Sequence, residues 1–158
     1  MPALKHAALD GDANVRLVAV NALVFSRSQA AANAIAAALN DEDWRVREAG
    51  ATALALSPSG ATHSDQLVKA LDDAFWQVRL SAIRSLGKLE IHRSASRIVQ
   101  ELNHVQPNVR KEAAAALGTI RSPESREALL AVAEDPDADV RKNVRWALQE
   151  LERAQRKC

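Results

Sequence analysis

Asp135, Asp137 and Asp139 stand at alternate positions, the spacing with which a calcium-binding loop opens, and Asp10, Asp12 and Asn14 repeat the arrangement. Such a loop also needs glycine at its sixth position and a bidentate glutamate at its twelfth. Here those positions hold Val140 and Trp146, or Val15 and Asn21. Both acidic runs precede amphipathic segments, where a short carboxylate accepts from the open N–H groups of a helix start. They read as caps, and no metal is expected.

The other reactive side chains are dispersed. His6, His63, His92 and His104 show no ligand spacing. Cys158, the single cysteine, is the last residue, so an internal disulfide is excluded and a mobile thiol is expected. No glycine-rich phosphate loop or clustered Ser/His/Asp set stands out. Catalytic residues and cofactors are therefore not expected, and the chain reads as a non-enzyme.

The positioning elements follow from a repeat. Val-Arg recurs at Val15-Arg16, Val46-Arg47, Val78-Arg79, Val109-Arg110 and Val140-Arg141, at intervals of 31, 32, 31 and 31 residues. Eight residues after each Val is a Leu: Leu23, Leu54, Leu86, Leu117 and Leu148. Four after it stand Ala19, Gly50, Ala82, Ala113 and Val144, and eleven before it Leu4, Ile35, Leu67, Ile98 and Leu129. Five before it is Asp10, Asp41, Asp73, His104 or Asp135. The extra residue is expected in the loop 57–62.

Each period holds two apolar stripes at helical spacing, hence two amphipathic helices. The A helices, with Val-Arg, are expected over about 13–25, 44–56, 76–89, 107–120 and 138–154, and the B helices over about 3–9, 28–39, 63–71, 93–102 and 123–133. Asp12, Asp43 and Asp137 should cap A helices, and Pro107 suits a first helical position. Phe75 occupies the cap column of the third A helix, which should start weakly or shift to Asp73. Side-by-side stacking buries both stripes in one core. The expectation is an all-α, right-handed α-α superhelix of about four and a half helix pairs. One domain over 1–158 is expected, with frames near 1–27, 28–58, 59–90, 91–121 and 122–158. The N-terminal end should expose apolar surface, and the polar end of the last A helix suits a cap.

Composition agrees. Alanine is about a fifth of the 158 residues and aromatics are 3%, which suits closely approaching helices. Basic residues number 21 and acidic ones 20, so no general attraction to polyanions follows. The longest apolar run, Ala34 to Leu39, is far too short for a membrane span. With no apolar leader and one cysteine, a cytoplasmic location is expected.

The segments Leu39 to Leu54 and Glu134 to Arg141 resemble the short HEAT-like repeat associated with phycobilisome lyases. The resemblance covers nearly the whole chain. It implies a helical solenoid and, among its functions, adaptor subunits and bilin lyases. Deoxyhypusine hydroxylase, with similar repeats, uses His-Glu pairs to hold iron, and this chain has no His-Glu dipeptide.

Frame residues should serve the frame. Arg47, Arg79, Arg110 and Arg141 are expected to bind a frame Asp or a loop carbonyl of an adjoining repeat. Residues outside the frame are the candidates for function. The outward, concave face of the B helices carries Gln66 and Lys69, then Arg93, Arg97 and Gln100, with both arginines expected to be exposed. Trp44, Phe75 and Trp76 gather near one loop edge as a second anchor. The expected function is a protein–protein interaction scaffold or adaptor whose partner offers an acidic segment. A nucleic-acid backbone binder and a bilin lyase or pigment-handling subunit are the alternatives.

Overall fold

The computed structural model describes residues 2–156, so Cys158 lies outside the described residues. Among these, ten α-helices and short 3₁₀ turns account for the regular structure, and there is no strand. The helices are α1 (Pro2–Ala7), α2 (Ala13–Leu23), α3 (Gln29–Ala37), α4 (Trp44–Leu54), α5 (Ser64–Lys69), α6 (Trp76–Lys88), α7 (Ala95–Gln100), α8 (Pro107–Ile120), α9 (Arg126–Ala131) and α10 (Ala138–Gln155). The even-numbered helices are the A helices and the odd-numbered ones the B helices. The chain divides into two compact units between Ser85 and Leu86, within α6.

In the first unit α2 packs on α4, and α1 and α3 pack on α2. Leu23, Val46, Leu54, Ile35 and Leu67 are buried between the helices. The 3₁₀ turn Gly60–His63 takes up the extra residue of this repeat. In the second unit α8 packs on α10, with α7 and α9 against them. Leu86, Val109, Leu117, Ile98, Leu129 and Val140 form its core. Two columns break at the ends of the frame. Val15 is partly exposed, and in α10 Leu148 is half-buried while Ala147 and Leu151 fill the core.

The A-helix starts are built by the acidic pairs. The side chains of Asp12, Asp43 and Asp137 accept from the N–H groups of Asn14, Arg45 and Asp139. Pro107 opens α8 as the first helical residue. α6 starts at Trp76, in frame, so the expected shift to Asp73 does not occur. The reason lies two positions upstream of the cap column. Each member of the Asp column turns the chain by accepting the N–H two residues on: Asp10 from Asp12, Asp41 from Asp43, Asp73 from Phe75 and Asp135 from Asp137. At His104 the ring Nδ1 accepts from Gln106 N–H at 3.0 Å, so an imidazole performs the aspartate's task.

Candidate functional site

Arginine and aspartate columns interlock from one repeat to the next. Arg16 donates Nε and Nη2 to Asp41 at 2.7 and 2.8 Å, and Arg47 does the same to Asp73 at 2.6 and 3.0 Å. In the second unit Arg110 grips Asp135 at 2.7 and 2.8 Å. The remaining Nη1 ties down the loop leading into the arginine's own helix: Arg47 to the Asp41 and Glu42 carbonyls, Arg110 to those of His104 and Val105. Arg141 makes this carbonyl contact alone, to Asp135 and Pro136. The carbonyl acceptors therefore belong to the arginine's own repeat, and only the carboxylates come from the adjoining one.

The electrostatics follow from this geometry. Hydrogen bonding from Arg16 holds Asp41 below the ordinary carboxylate value, and Arg110 does the same for Asp135. For Asp73, burial pushes upward, but Arg47 and the Phe75 N–H together outweigh it and the net direction is down. Asp43, bonded by the Arg45 side chain and N–H, falls to about 2. Asp135 and Asp137 are thus occupied as acceptors within the fold, the role that their helix-start position suggests.

The aromatic edge belongs to the first unit. Trp44 and Phe75 stack with centroids 5.6 Å apart and planes 12° from parallel. The Arg47 guanidinium lies 5.6 Å from the centre of the Phe75 ring. Phe75 remains partly exposed and Trp44 is half-buried. Trp76 is half-buried and stands outside this stack. The structure therefore joins two of the three aromatics and adds Arg47 to them.

On the B-helix side of the first unit, Gln66 and Lys69 line a cavity of about 260 Å³ with Asn40 and Asp73. Gln66 is half-buried and Lys69 exposed. In the second unit Arg93 is exposed, but Arg97 is half-buried and donates to Gln100 Oε1 at 2.9 Å. The expectation that both arginines are exposed holds for Arg93 and is corrected for Arg97: side chains three apart on one helix face reach each other.

A larger groove was not anticipated from the residues. About 740 Å³ opens between α1 and α3, floored by Ala30, Ala34 and Ala37, with Leu9, Lys5 and Asn33 on its walls. It adjoins the smaller cavity at Asn40. Alanine on the outward positions of α3 was the available signal. Short side chains there leave a trough instead of a solvated charged face.

Paired antiparallel helices, stacked in register and stapled by an arginine–aspartate column, define a helical-repeat solenoid protein. The family model for HEAT repeats matches residues 1–62 and 64–149, and the chain belongs to that family. No curated protein matches the chain. Among solved structures, it is similar to the complex of CpcE and CpcF of phycocyanin lyase from Nostoc sp. PCC7120. The TM-score is 0.85 at 21% identity, over 95% of this chain and 64% of that one. A designed armadillo repeat protein in complex with the peptide (KR)4 gives a TM-score of 0.74 at 23% identity, over 94% and 80%. An engineered protein gives 0.75 at 22%, over 95% and 78%. At these identities the likeness establishes the fold. No helix among the described residues is long and apolar enough to cross a membrane.

Proposed function

We propose that this protein is a non-catalytic interaction scaffold that holds a partner protein on its B-helix faces. The groove between α1 and α3 carries the proposal: an alanine floor with exposed Leu9 on its wall offers apolar surface to a partner's side chains. Frame residues account for the fold, so the side chains that vary around the groove are free to specify a partner. Lys69 on the first unit favours an acidic segment there, and Arg93 and Arg97 independently favour one on the second, each attracted more strongly at low salt. Trp44, Phe75 and Trp76 supply a second anchor at the loop edge of the first unit, the stacked Trp44–Phe75 pair being the firmer part of it. The designed armadillo repeat protein in complex with (KR)4 supports by analogy the binding of a peptide on such an architecture; that peptide is basic, so the acidic preference rests on Lys69, Arg93 and Arg97 alone.

The test is selection of short peptides displayed on phage against the full chain, followed by titration of the recovered peptides. Acidic peptides carrying a bulky apolar residue are expected. Lys69→Glu or Ala34→Glu should weaken peptides held on the first unit by about tenfold or more, and Arg93→Glu with Arg97→Glu should do the same for peptides held on the second. Recovered peptides that bind every folded variant with unchanged affinity contradict the proposal. Retention on DNA that falls steeply with salt would favour the phosphate-backbone alternative instead.

A further inference from the structure

Two hollows of the first unit meet at one residue. The α1–α3 groove of about 740 Å³ and the α3–α5 cavity of about 260 Å³ are both lined by Asn40. Asn40 is exposed, and Gln66, on the next B helix, is half-buried. Neither side-chain amide forms a hydrogen bond among the described residues. By contrast, Gln29 donates to Asn33 at 3.0 Å and Asn143 to the Lys111 carbonyl at 3.1 Å, so those amides serve the fold.

The charges at the junction divide in the same way. Arg16 and Arg47 neutralise the Asp41 and Asp73 carboxylates. Lys69 is exposed and forms no ion pair among the described residues. The α3–α5 cavity thus offers two amides, each with a donor and an acceptor, and one uncompensated ammonium.

A peptide main chain matches that set. A side-chain amide carries the same two groups as a peptide unit and can pair with both. An α-helix consumes its main-chain groups internally. One helical turn, about 10–12 Å across and about 5.4 Å tall, also fills roughly 500 Å³, more than the α3–α5 cavity holds. An extended segment leaves an N–H and a C=O free at each residue and is slimmer.

We propose that the B-helix face of the first unit takes its partner as an extended main chain. Asn40 and Gln66 bond its peptide groups, an apolar side chain fills the alanine trough between α1 and α3, and an acidic one reaches Lys69. This mode rests on the scaffold function proposed above and adds the ligand's conformation and register. Packed helices lie about 8–10 Å apart. An extended chain advances about 3.3 Å per residue and turns alternate side chains to one face. The even spacing nearest that span is two. The apolar and acidic residues therefore stand two positions apart, a pairing that one face of a helix does not present.

The probes are short linear peptides, selected by display against the full chain, that lose affinity with Ala34→Glu. Their shared pattern should be an apolar and an acidic residue two apart. Each is resynthesised with one amide at a time replaced by an ester, which removes a main-chain N–H. At one or more positions the ester should weaken binding about two- to tenfold, the weight of one hydrogen bond. Gln66→Met and Asn40→Ala break no hydrogen bond of the fold and should leave the circular dichroism spectrum unchanged. One of them should weaken the parent peptide similarly and make the matching ester cost nothing further. Peptides that become helical on binding, that space the two residues by three or four, or whose esters bind as well as the parent overturn the extended mode while the scaffold function stands. Recovery of no peptide sensitive to Ala34→Glu overturns this mode and the groove's part in the scaffold function together.

Discussion

Arg110 and Asp135 face each other through two parallel hydrogen bonds, Nε to Oδ2 at 2.7 Å and Nη2 to Oδ1 at 2.8 Å, across 25 residues of sequence. Because the third nitrogen holds the loop before α8, one side chain fixes both the entry to its own helix and the distance to the next repeat. Replacing Arg110 with Met should therefore cost about 1.5–3 kcal/mol, the usual range for hydrogen bonds to charged groups. In a double-mutant cycle with Asp135→Asn, chemical denaturation should show that the two losses do not add. Simple additivity would mean that the pair is incidental.

The same ladder sets an acid limit. Asp41, Asp73 and Asp135 all sit below their ordinary value of 3.8 in the folded chain. A depressed carboxylate stabilises the fold above its unfolded pKa, and that contribution fades as pH falls through the folded pKa. Thermal unfolding followed downward from pH 6 should show little change until about pH 4 and a decline below it. The triple variant Asp41→Asn, Asp73→Asn and Asp135→Asn should start from a lower stability and show a flatter acid limb. An acid limb as steep as the wild type's would place the titration elsewhere.

Gly118 marks the close approach of α8 and α10. A Cβ there would meet Trp146 Cζ3 at 2.6 Å and Ala147 Cα at 2.8 Å. Alanine would gain about 1 kcal/mol of helix propensity but must displace backbone, so Gly118→Ala should be net destabilising by about 1–2 kcal/mol. Gly11, with nothing within 4 Å of the equivalent position, is the control, and Gly11→Ala should change the unfolding midpoint little. A more stable Gly118→Ala protein would contradict the packing.

Leu86 tests the frame itself. It is fully buried, as are Leu54 and Leu117 in the same column. Leu86→Ala should cost about 2–5 kcal/mol by equilibrium denaturation, through lost burial and the remaining cavity. A loss within experimental error would break the assignment of this column to the core.

The helices were readable because the same residue types return every 31 or 32 positions, so five weak signals reinforce one another. Columns fail at the ends of the described repeats: among the described residues no A helix precedes α2 and Val15 stays partly exposed, and α10 runs on to bury Leu151 in place of Leu148. The Arg–Asp staple was readable in partners but not in detail, since a residue list does not say which carbonyls the third nitrogen meets. The aromatic stack depends on two successive loops coming within ring contact, which places Phe75 on Trp44 and leaves Trp76 aside. The alanine groove was the least legible feature. It exists through the space left between α1 and α3, and individual alanines read equally well as packing residues.

The central claim is that the B-helix faces receive the partner. Backbone amide shifts of the isotope-labelled full chain, recorded while a display-selected acidic peptide is added, test it most directly. The account predicts saturable changes concentrated on α3 and α5 of the first unit, including Asn33, Gln66 and Lys69, that are lost with Ala34→Glu. Changes confined to the A helices, or saturable binding that leaves the α3 and α5 amides unmoved, would contradict it.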